Sequence, residues 1–342
     1  MIPMSQIPFS TLANFALAIV LALPLAACRA GESTPATVAS VTSEDPMAPY
    51  VLVLGTAQDG GLPQIGCERD CCREARLDPA RRRLVTSLLL VNPRSGQRWL
   101  LDASPDLPDQ IELARDHPAD YLIPQVEDGR GPLFDGVFLT HGHWGHYGGL
   151  AWLGRESYGV RGQKLFTTAS MEEFLTLNGP WSLTVRTGGF EFERLTPGRS
   201  VELAPGLAVE VVNVPHRAEF SDTLGITIHG PDRSLLYLPD IDKWERWSVR
   251  IEDLIAGVDV ALLDGSFFGP GEIPGRDMAV IAHPFIRESI ERLSELPAVE
   301  RDKVRFTHLN HSNPAASEGS PEALEVLDSG FHLARELERH AL

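Results

Sequence analysis

The chain has 342 residues, of which 43% are hydrophobic, and its formal net charge is −17. A chain this acidic repels nucleic acid and anionic lipid, so we expect no nucleic-acid partner and no membrane contact through charge. The basic run Arg81–Arg83 precedes a predicted strand and is expected to be a solvated edge.

The N-terminal segment differs from the rest of the chain. Its first 27 residues contain no Asp, Glu, Lys or Arg, and residues 12–25 are almost wholly apolar, which is typical of an export signal and too short for a comfortable membrane span. Its ending, Leu-Ala-Ala-Cys28, resembles the lipobox of bacterial lipoproteins, and this resemblance implies that Cys28 is acylated and becomes the mature N-terminus. Arg29 is not the Asp that retains such proteins at the inner membrane, so a periplasmic lipoprotein anchored at the outer membrane is implied.

The segment after the signal, residues 28–48, is rich in Ala, Ser, Thr, Glu and Pro, a composition that predicts a flexible tether. Residues 49–342 are enough for one large domain with a single core. We therefore expect a domain that is attached to a membrane through lipid.

The pattern of the domain predicts two groups of strands with helices interleaved after each. That order favours sheets packed together with helices outside, and not a doubly wound parallel sheet. The Gly-rich turn at 55–61 fits neither a phosphate-binding loop nor the dinucleotide fingerprint.

The elements are predicted in the following order along the chain. We expect strands at 50–54, 84–91 and 99–101, a helix at 105–115, a strand at 137–139, a helix from about 147, a short strand near 165 and a helix at 171–177. Strands at 190–195, 207–214, 224–228, 235–238 and 258–263, a helix at 284–293 and a last strand at 304–307 follow.

The turn after the predicted strand 137–139 carries three imidazoles within six residues: His141, His143 and His146. Imidazole is the commonest protein ligand for zinc, iron and related metals. Alternate residues of an extended chain share a side, so His141 and His143 can point at one centre. This turn predicts a metal site.

Residues with metal-binding side chains also follow three later strands. His216 ends one apolar segment, Asp240 ends another, and His308 ends the last. Strands that end in such residues at one sheet edge can build a metal cavity.

These ordered motifs resemble the metallo-β-lactamase superfamily over about residues 50–314. The resemblance implies an αββα sandwich, an α/β fold of four layers, with a metal site at one sheet edge. It implies that His141, His143 and His216 hold one metal, that Asp240 bridges, and that His146 with His308 faces a second metal. The usual family turn is His-x-His-x-Asp-His, and Gly145 stands here in place of the Asp. We therefore expect one firmly bound catalytic zinc and leave the second ion open.

Within that superfamily the chain resembles the pyrroloquinoline quinone biosynthesis protein B family. The matching segments lie at 60–64, 103–106, 263–267 and 308–314. This resemblance keeps iron or manganese open as the metal, because a histidine-rich site with one carboxylate and open positions also suits Fe(II).

Three cysteines crowd together at Cys67, Cys71 and Cys72. In an exported protein this spacing allows a disulfide plus a free thiol, or a structural zinc that lacks one ligand. The cluster also resembles that of the cyclic phosphodiesterases of phosphonate breakdown, which implies His311 as the fourth ligand.

We predict that the protein is a metal-dependent hydrolase that uses a metal-activated water on a small-molecule ester, phosphodiester, lactone or lactam. Asp240 is the expected proton acceptor. Asp264 either orients a histidine or forms a turn, and His283 either donates a proton to a leaving group or opens a helix. Asp102 and Asp106 are expected to cap a helix. The alternatives are an iron-dependent oxidative enzyme and a non-catalytic metal- or ligand-binding lipoprotein.

Overall fold

The computed structural model describes residues 45–118, 121, 123, 126 and 130–342. These residues belong to one compact unit, Glu44–Leu342. None of the helices in this part of the chain combines the length and the apolar character that a membrane crossing needs. The predicted export signal, Cys28 and most of the predicted tether lie outside the described residues.

The first sheet has seven strands in the order β14-β1-β2-β3-β4-β5-β6. β1, β2 and β3 pair antiparallel, whereas β3 to β6 pair parallel. All six residues of β2 are buried and the central four are aliphatic, as expected for a strand that is covered on both faces. The strands are β1 Tyr50–Gly55, β2 Ser87–Asn92, β3 Gln97–Leu101, β4 Gly136–Phe138, β5 Gln163–Thr167, β6 Phe190–Arg194 and β14 Arg339–Ala341.

The second sheet also has seven strands, in the order β13-β12-β11-β10-β9-β8-β7. β7 to β10 pair antiparallel, and β10 to β13 pair parallel. The strands are β7 Ser200–Ala204, β8 Leu207–Val214, β9 Thr223–His229, β10 Ser234–Leu238, β11 Val260–Asp264, β12 Val304–Thr307 and β13 His332–Leu333.

Helices connect the strands and cover the outer faces. Polar residues start two of them: Thr168 accepts a hydrogen bond from the backbone N–H of Met171, and Ser320 accepts one from Ala323. The helices of the described residues are α1 Asp70–Leu77, α2 Leu107–Leu113, α3 Trp144–Tyr147, α4 Ala169–Leu177, α5 Trp181–Arg186, α6 Ile251–Ala256, α7 Ile286–Leu293, α8 Ala298–Arg301 and α9 Pro321–Asp328.

The core consists of three apolar layers. Alternate residues of a strand face opposite sides, so in β1 Val51 and Val53 pack against the second sheet, while Leu52 and Leu54 pack beneath the first group of helices. A third apolar layer lies between the second sheet and its helices, around Leu236. These layers confirm the αββα sandwich.

The structure corrects several element predictions. Val304–Thr307 is not the last strand, because β13 and β14 follow it. The helix predicted from about residue 147 begins at Trp144 and passes into a 3₁₀ turn at Gly148–Leu153. Six further elements were not predicted from the sequence: β7, α1, α5, α6, α8 and α9.

Strand direction brings the ends of several strands to one edge of each sheet. β1 and β3 are both antiparallel to β2, and β4 is parallel to β3, so β1, β3 and β4 share a direction. By the same reasoning β8, β10, β11 and β12 share a direction in the second sheet. The loops at these ends are where catalytic and binding residues concentrate in layered folds.

Candidate metal centre

The six predicted metal ligands lie beyond these strand ends. His141, His143 and His146 follow β4, in the turn that leads into α3. The other three each follow a strand of the second sheet: His216 follows β8, Asp240 follows β10 and His308 follows β12. We call these six residues the imidazole centre.

Four of these ligands form a tight cluster. The Nδ1 atom of His143 lies 2.9 Å from Nε2 of His141 and 3.2 Å from Nε2 of His216. Asp240 Oδ2 lies 3.2 Å from His141 Nε2. Two nitrogen ligands that are each about 2.1 Å from a tetrahedral ion lie about 3.4 Å apart. The four side chains therefore have the spacing of ligands that share one ion.

The electrostatics of the centre favour a cation. Asp102, Asp240 and Asp264 are at most 2% exposed. Among the described residues histidines are the only basic side chains within ion-pair distance of these carboxylates, and none of the three pairs with Lys or Arg. His308 Nε2 and Asp240 Oδ1 are buried without a hydrogen-bond partner, and His146 Nε2 is buried with a carboxylate oxygen of Asp240 at 3.0 Å. Because buried charge is costly unless it is paired or coordinates a metal, these residues fit a divalent cation.

Three imidazoles of the centre, His141, His216 and His308, are held in their neutral form. Burial lowers the pKa of His216 to about 4. Burial, reinforced by the charge of His146, takes the pKa of His141 well below its usual range, and burial also lowers the pKa of His308. Neutral imidazole is the form that binds a metal, so these rings need not lose a proton first.

Asp240 lies between the two halves of the centre. Its Oδ2 is 3.0 Å from His146 Nε2, and its Oδ1 is 3.5 Å from His308 Nδ1. Burial opposes ionisation of this carboxyl, but its interactions with the surrounding histidines, His308 and His216 foremost, hold its pKa well below the usual range. Asp240 is therefore ionised and central, the position that the predicted bridging role requires.

Asp102 orients His146, and its predicted role as a helix cap is wrong. Its carboxylate accepts hydrogen bonds from His146 Nδ1 at 2.7 Å, from the backbone and hydroxyl of Thr140, and from the Tyr237 hydroxyl at 3.1 Å. The bond to Nδ1 leaves Nε2 of His146 pointing toward Asp240. Burial opposes a positive charge on His146, but Asp102 and Asp240 raise the pKa of this residue well above its usual value. The surroundings of His146 therefore favour positive charge.

The companion prediction for Asp106 is also wrong. Asp106 stands at the N-cap of α2 but accepts no capping hydrogen bond. Its Oδ2 accepts from the backbone N–H of Val85 at 2.8 Å, so it joins the turn before α2 to the segment before β2.

Asp264 fulfils both roles that the sequence left open. Its Oδ1 accepts hydrogen bonds from the backbone and hydroxyl of Ser266, which forms a turn after β11. Its Oδ2 lies 2.8 Å from Nδ1 of His283, and this charge raises the pKa of His283 although burial opposes it. Ser266 Oγ also lies 2.9 Å from His308 Nδ1. The group therefore fixes the rings of His283 and His308.

The sequence analysis missed two carboxylates that contact histidines of the centre. Glu219 Oε2 lies 3.0 Å from His143 Nε2, and this hydrogen bond lowers the pKa of Glu219. Asp59 Oδ1 lies 3.8 Å from His146 Nε2. Both residues lie in loops without regular periodicity, so no local pattern marks them.

The three predicted cysteines and His311 meet in a second cluster, which we call the cysteine cluster. Cys71 Sγ and Cys72 Sγ lie 3.9 Å apart, and His311 Nδ1 is 3.8 Å and 3.4 Å from these two atoms. Tetrahedral zinc with these ligands sets S···S at about 3.8 Å and S···N at about 3.6 Å. The thiols of Cys67, Cys71 and Cys72 are free, so the arrangement fits a zinc ion better than a disulfide.

A cleft of about 610 Å³ opens beside His283. Three arginines line it, Arg69, Arg217 and Arg276, and no Asp or Glu does. Apolar side chains, Phe267 among them, form another part of the wall of this cleft. A larger cleft of about 840 Å³ lies on the other side of the cysteine cluster, and none of the six ligands of the imidazole centre lines either cleft. Only the smaller cleft reaches His283, whose Nδ1 lies 3.3 Å from Asp240 Oδ1, so it is the one that connects to the centre.

Comparison with known sequences identifies relatives over most of the domain. The profile of the β-lactamase superfamily domain matches residues 97–312. Coenzyme PQQ synthesis protein B of Methylobacterium radiotolerans is 32% identical over 311 residues, which cover 84% of this chain and 97% of that protein. The protein of the same name from Pseudomonas entomophila is 26% identical and covers 83% of this chain and 97% of that protein.

Solved structures share the fold. The Zn²⁺-bound PqqB of Methylobacterium extorquens has a TM-score of 0.69 at 24% identity, covering 86% of this chain and 100% of that chain. A diphosphatase of the PhnP family has a TM-score of 0.59 at 22% identity, covering 86% and 98%. At these identities the two structures support the fold alone. The profile match and the relative at 32% identity show that the chain belongs to the metallo-β-lactamase superfamily.

Proposed function

We propose that the protein is a metal-dependent hydrolase of a small, negatively charged substrate. The observation that carries this proposal is the buried ligand cluster of His141, His143, His216 and Asp240. Its carboxylate is paired with no Lys or Arg among the described residues, and the cleft of about 610 Å³ opens beside the neighbouring His283.

Metal binding, proton uptake and proton donation fall to different residues because of their positions. A divalent ion held by the four ligands would supply the positive charge that makes hydroxide available near neutral pH. Asp240 contacts both halves of the centre, so by position it is the carboxylate that can take up the proton that a water gives off. His283 lines the cleft, and Asp264 favours its protonated form, so it can donate a proton to the leaving group.

The side chains that line the cleft favour a negatively charged substrate. Three arginine side chains in a wall without carboxylates are unusual in a chain of net charge −17. Guanidinium groups bind phosphate and carboxylate groups through paired hydrogen bonds. Of the ester, phosphodiester, lactone and lactam that the sequence left open, the phosphodiester is therefore the first to test, with carboxylate-bearing esters next.

Metal content measured beside turnover tests the proposal. We expect the protein, purified without chelator, to carry a divalent metal and to hydrolyse a substrate of this class. His143→Ala should remove the metal from the imidazole centre and abolish turnover, while His229→Ala, at the far end of β9, should keep both. Full activity in metal-stripped protein would overturn the proposal.

Arg276 offers a separate test of substrate charge. Arg276→Ala should raise KM for a charged substrate and leave KM for a neutral ester unchanged, because the side chain lines the cleft. Equal effects on both substrates would contradict an anionic substrate.

A second candidate is an iron-dependent oxidative enzyme. It is favoured by the relative at 32% identity, whose name assigns it to coenzyme PQQ synthesis, and by a set of imidazoles with one carboxylate, which also suits Fe(II). Metal analysis separates the two candidates: zinc supports hydrolysis, whereas iron together with oxygen consumption supports the oxidative reaction.

We further propose that the cysteine cluster holds a structural zinc, because its four ligand atoms lie within 4.8 Å of one another. We also propose that the chain is exported and carries lipid on Cys28, on the basis of its apolar N-terminal segment. Metabolic labelling with a fatty acid, lost in Cys28→Ala, tests the second of these proposals.

A further inference from the structure

The turn after β4 lacks a carboxylate where Gly145 stands, yet the space beside this glycine is not empty. A Cβ atom added to Gly145 would lie only 2.1 Å from Oδ1 of Asp59 and 2.9 Å from the Asp59 Cα. The backbone N–H of Gly145 donates a hydrogen bond to the same Oδ1 at 3.2 Å. The carboxylate of Asp59 therefore fills the volume that a side chain at position 145 would need.

Two buried histidine nitrogens face this region. His146 Nε2 lies 3.8 Å from Asp59 Oδ1. His308 Nε2 is buried without a hydrogen-bond partner. Ligand atoms of Asp59, His146 and His308 all lie within 4.8 Å of one another, and Asp240 Oδ2 lies 3.0 Å from His146 Nε2.

The backbone fixes Asp59 to the loop that carries His308. Gln58 N–H donates to the carbonyl of Leu309 at 3.0 Å, and Leu309 N–H donates to the carbonyl of Thr56 at 2.8 Å. The side-chain amide of Asn310 also donates to that of Gln58. Ligands on loops joined in this way keep their separation, as a metal site requires.

The family resemblance already implies a second metal beside His146 and His308. We propose that in this chain Asp59 completes that site from a distant loop and supplies the carboxylate that position 145 lacks. The mixed oxygen and nitrogen ligands suit zinc, manganese or iron. This inference extends the proposed function, since it concerns the neighbouring half of the same centre.

Metal stoichiometry tests the site without reference to activity. Apo protein is dialysed against zinc, and the bound metal is counted by mass spectrometry. Asp59→Ala and Asp59→Asn should each bind one equivalent less than wild type, since Asn keeps the shape and loses the charge. The control Asp232→Ala, an exposed carboxylate between β9 and β10, should bind as wild type does. Melting curves check that each variant is folded.

Moving the carboxylate from position 59 to position 145 provides a second test. Gly145→Asp alone should lose the second ion, because Asp59 already occupies the space. Asp59→Gly combined with Gly145→Asp removes the carboxylate from that space and leaves only the Cα at 2.9 Å, which a shift of the loop can relieve. The double variant should recover the lost equivalent.

The outcomes separate this inference from the proposed function. If Asp59 variants bind as much zinc as wild type while His143→Ala loses an equivalent, the second site is wrong and the hydrolase proposal stands. If His143→Ala also binds as wild type does, the imidazole centre holds no metal and both proposals fail.

Discussion

The imidazole centre and the cysteine cluster are both candidate metal sites, but they are built differently. Nearly all ligands of the imidazole centre are buried at the ends of sheet strands, and carboxylates orient the rings of His143 and His146. In the cysteine cluster Cys67, Cys71 and His311 are only half-buried. Two of its ligands lie on the eight-residue helix α1.

The difference concerns what each site can do. A centre of neutral imidazoles with a carboxylate leaves net positive charge on an ion and can keep a position open for substrate. Three thiolates and one imidazole complete a tetrahedron and leave no such position. The packing around α1 agrees with a structural role for the cysteine cluster. This helix packs into only a small apolar cluster with Leu62, so apolar burial alone gives it little stability. We infer that the imidazole centre acts on a substrate and that the cysteine cluster stabilises the fold.

Removal of a cysteine ligand should give the largest effect on stability. Cys72→Ser should lose the structural zinc and lower Tm by roughly 10 °C in the presence of zinc, because a tightly bound ion contributes about 4 kcal/mol. Turnover by the imidazole centre should persist below the melting range. Leu77→Ser, an exposed change on the same helix, is the matched control for calorimetry. An unchanged Tm would contradict a structural role.

Neutralising the carboxylate that orients His146 should affect the imidazole centre alone. Asp102→Asn should weaken metal binding there by about 10- to 100-fold, since such partners fix the ring of a ligand. Asp106→Asn, in the same turn but bonded to Val85, is the control. Competition with a chelator measures the affinity. Equal loss from both metal sites would mean that the change acts through the fold instead.

The smallest effect concerns a group outside both sites. Burial raises the pKa of Glu336 from its usual 4.5 to about 7. Between these pH values the folded protein keeps a proton that the unfolded chain releases, so wild-type stability falls as pH rises through this window. Glu336→Gln should therefore melt about 3 °C higher than wild type at pH 8 and near the wild-type value at pH 5. Melting curves without the pH-dependent difference would show that Glu336 is not responsible.

The six predicted ligands of the imidazole centre could be found in the sequence because each follows an apolar strand. The end of a strand is visible locally, and parallel neighbours carry such ends to one edge, as for Asp240 after β10 and His308 after β12. The sandwich was predictable for the same reason, since fully buried strands such as β2 stand out as apolar runs.

What the sequence did not reveal depends on contacts between distant segments. Asp102 looked like a helix cap because a proline turn follows it, whereas its partner His146 lies 44 residues away. Asp59 looked like part of a Gly-rich turn, and its neighbour Gly145 lies 86 residues away. The strand β7 was missed because it is a five-residue strand at a sheet edge, and none of its residues is fully buried.

Anomalous diffraction from crystals of the metal-loaded protein, recorded above and below the absorption edge of the bound metal, shows whether the imidazole centre binds an ion. We expect a peak among His141, His143, His216 and Asp240, in addition to any peak at the cysteine cluster. Peaks at the cysteine cluster alone would contradict a metal-dependent imidazole centre.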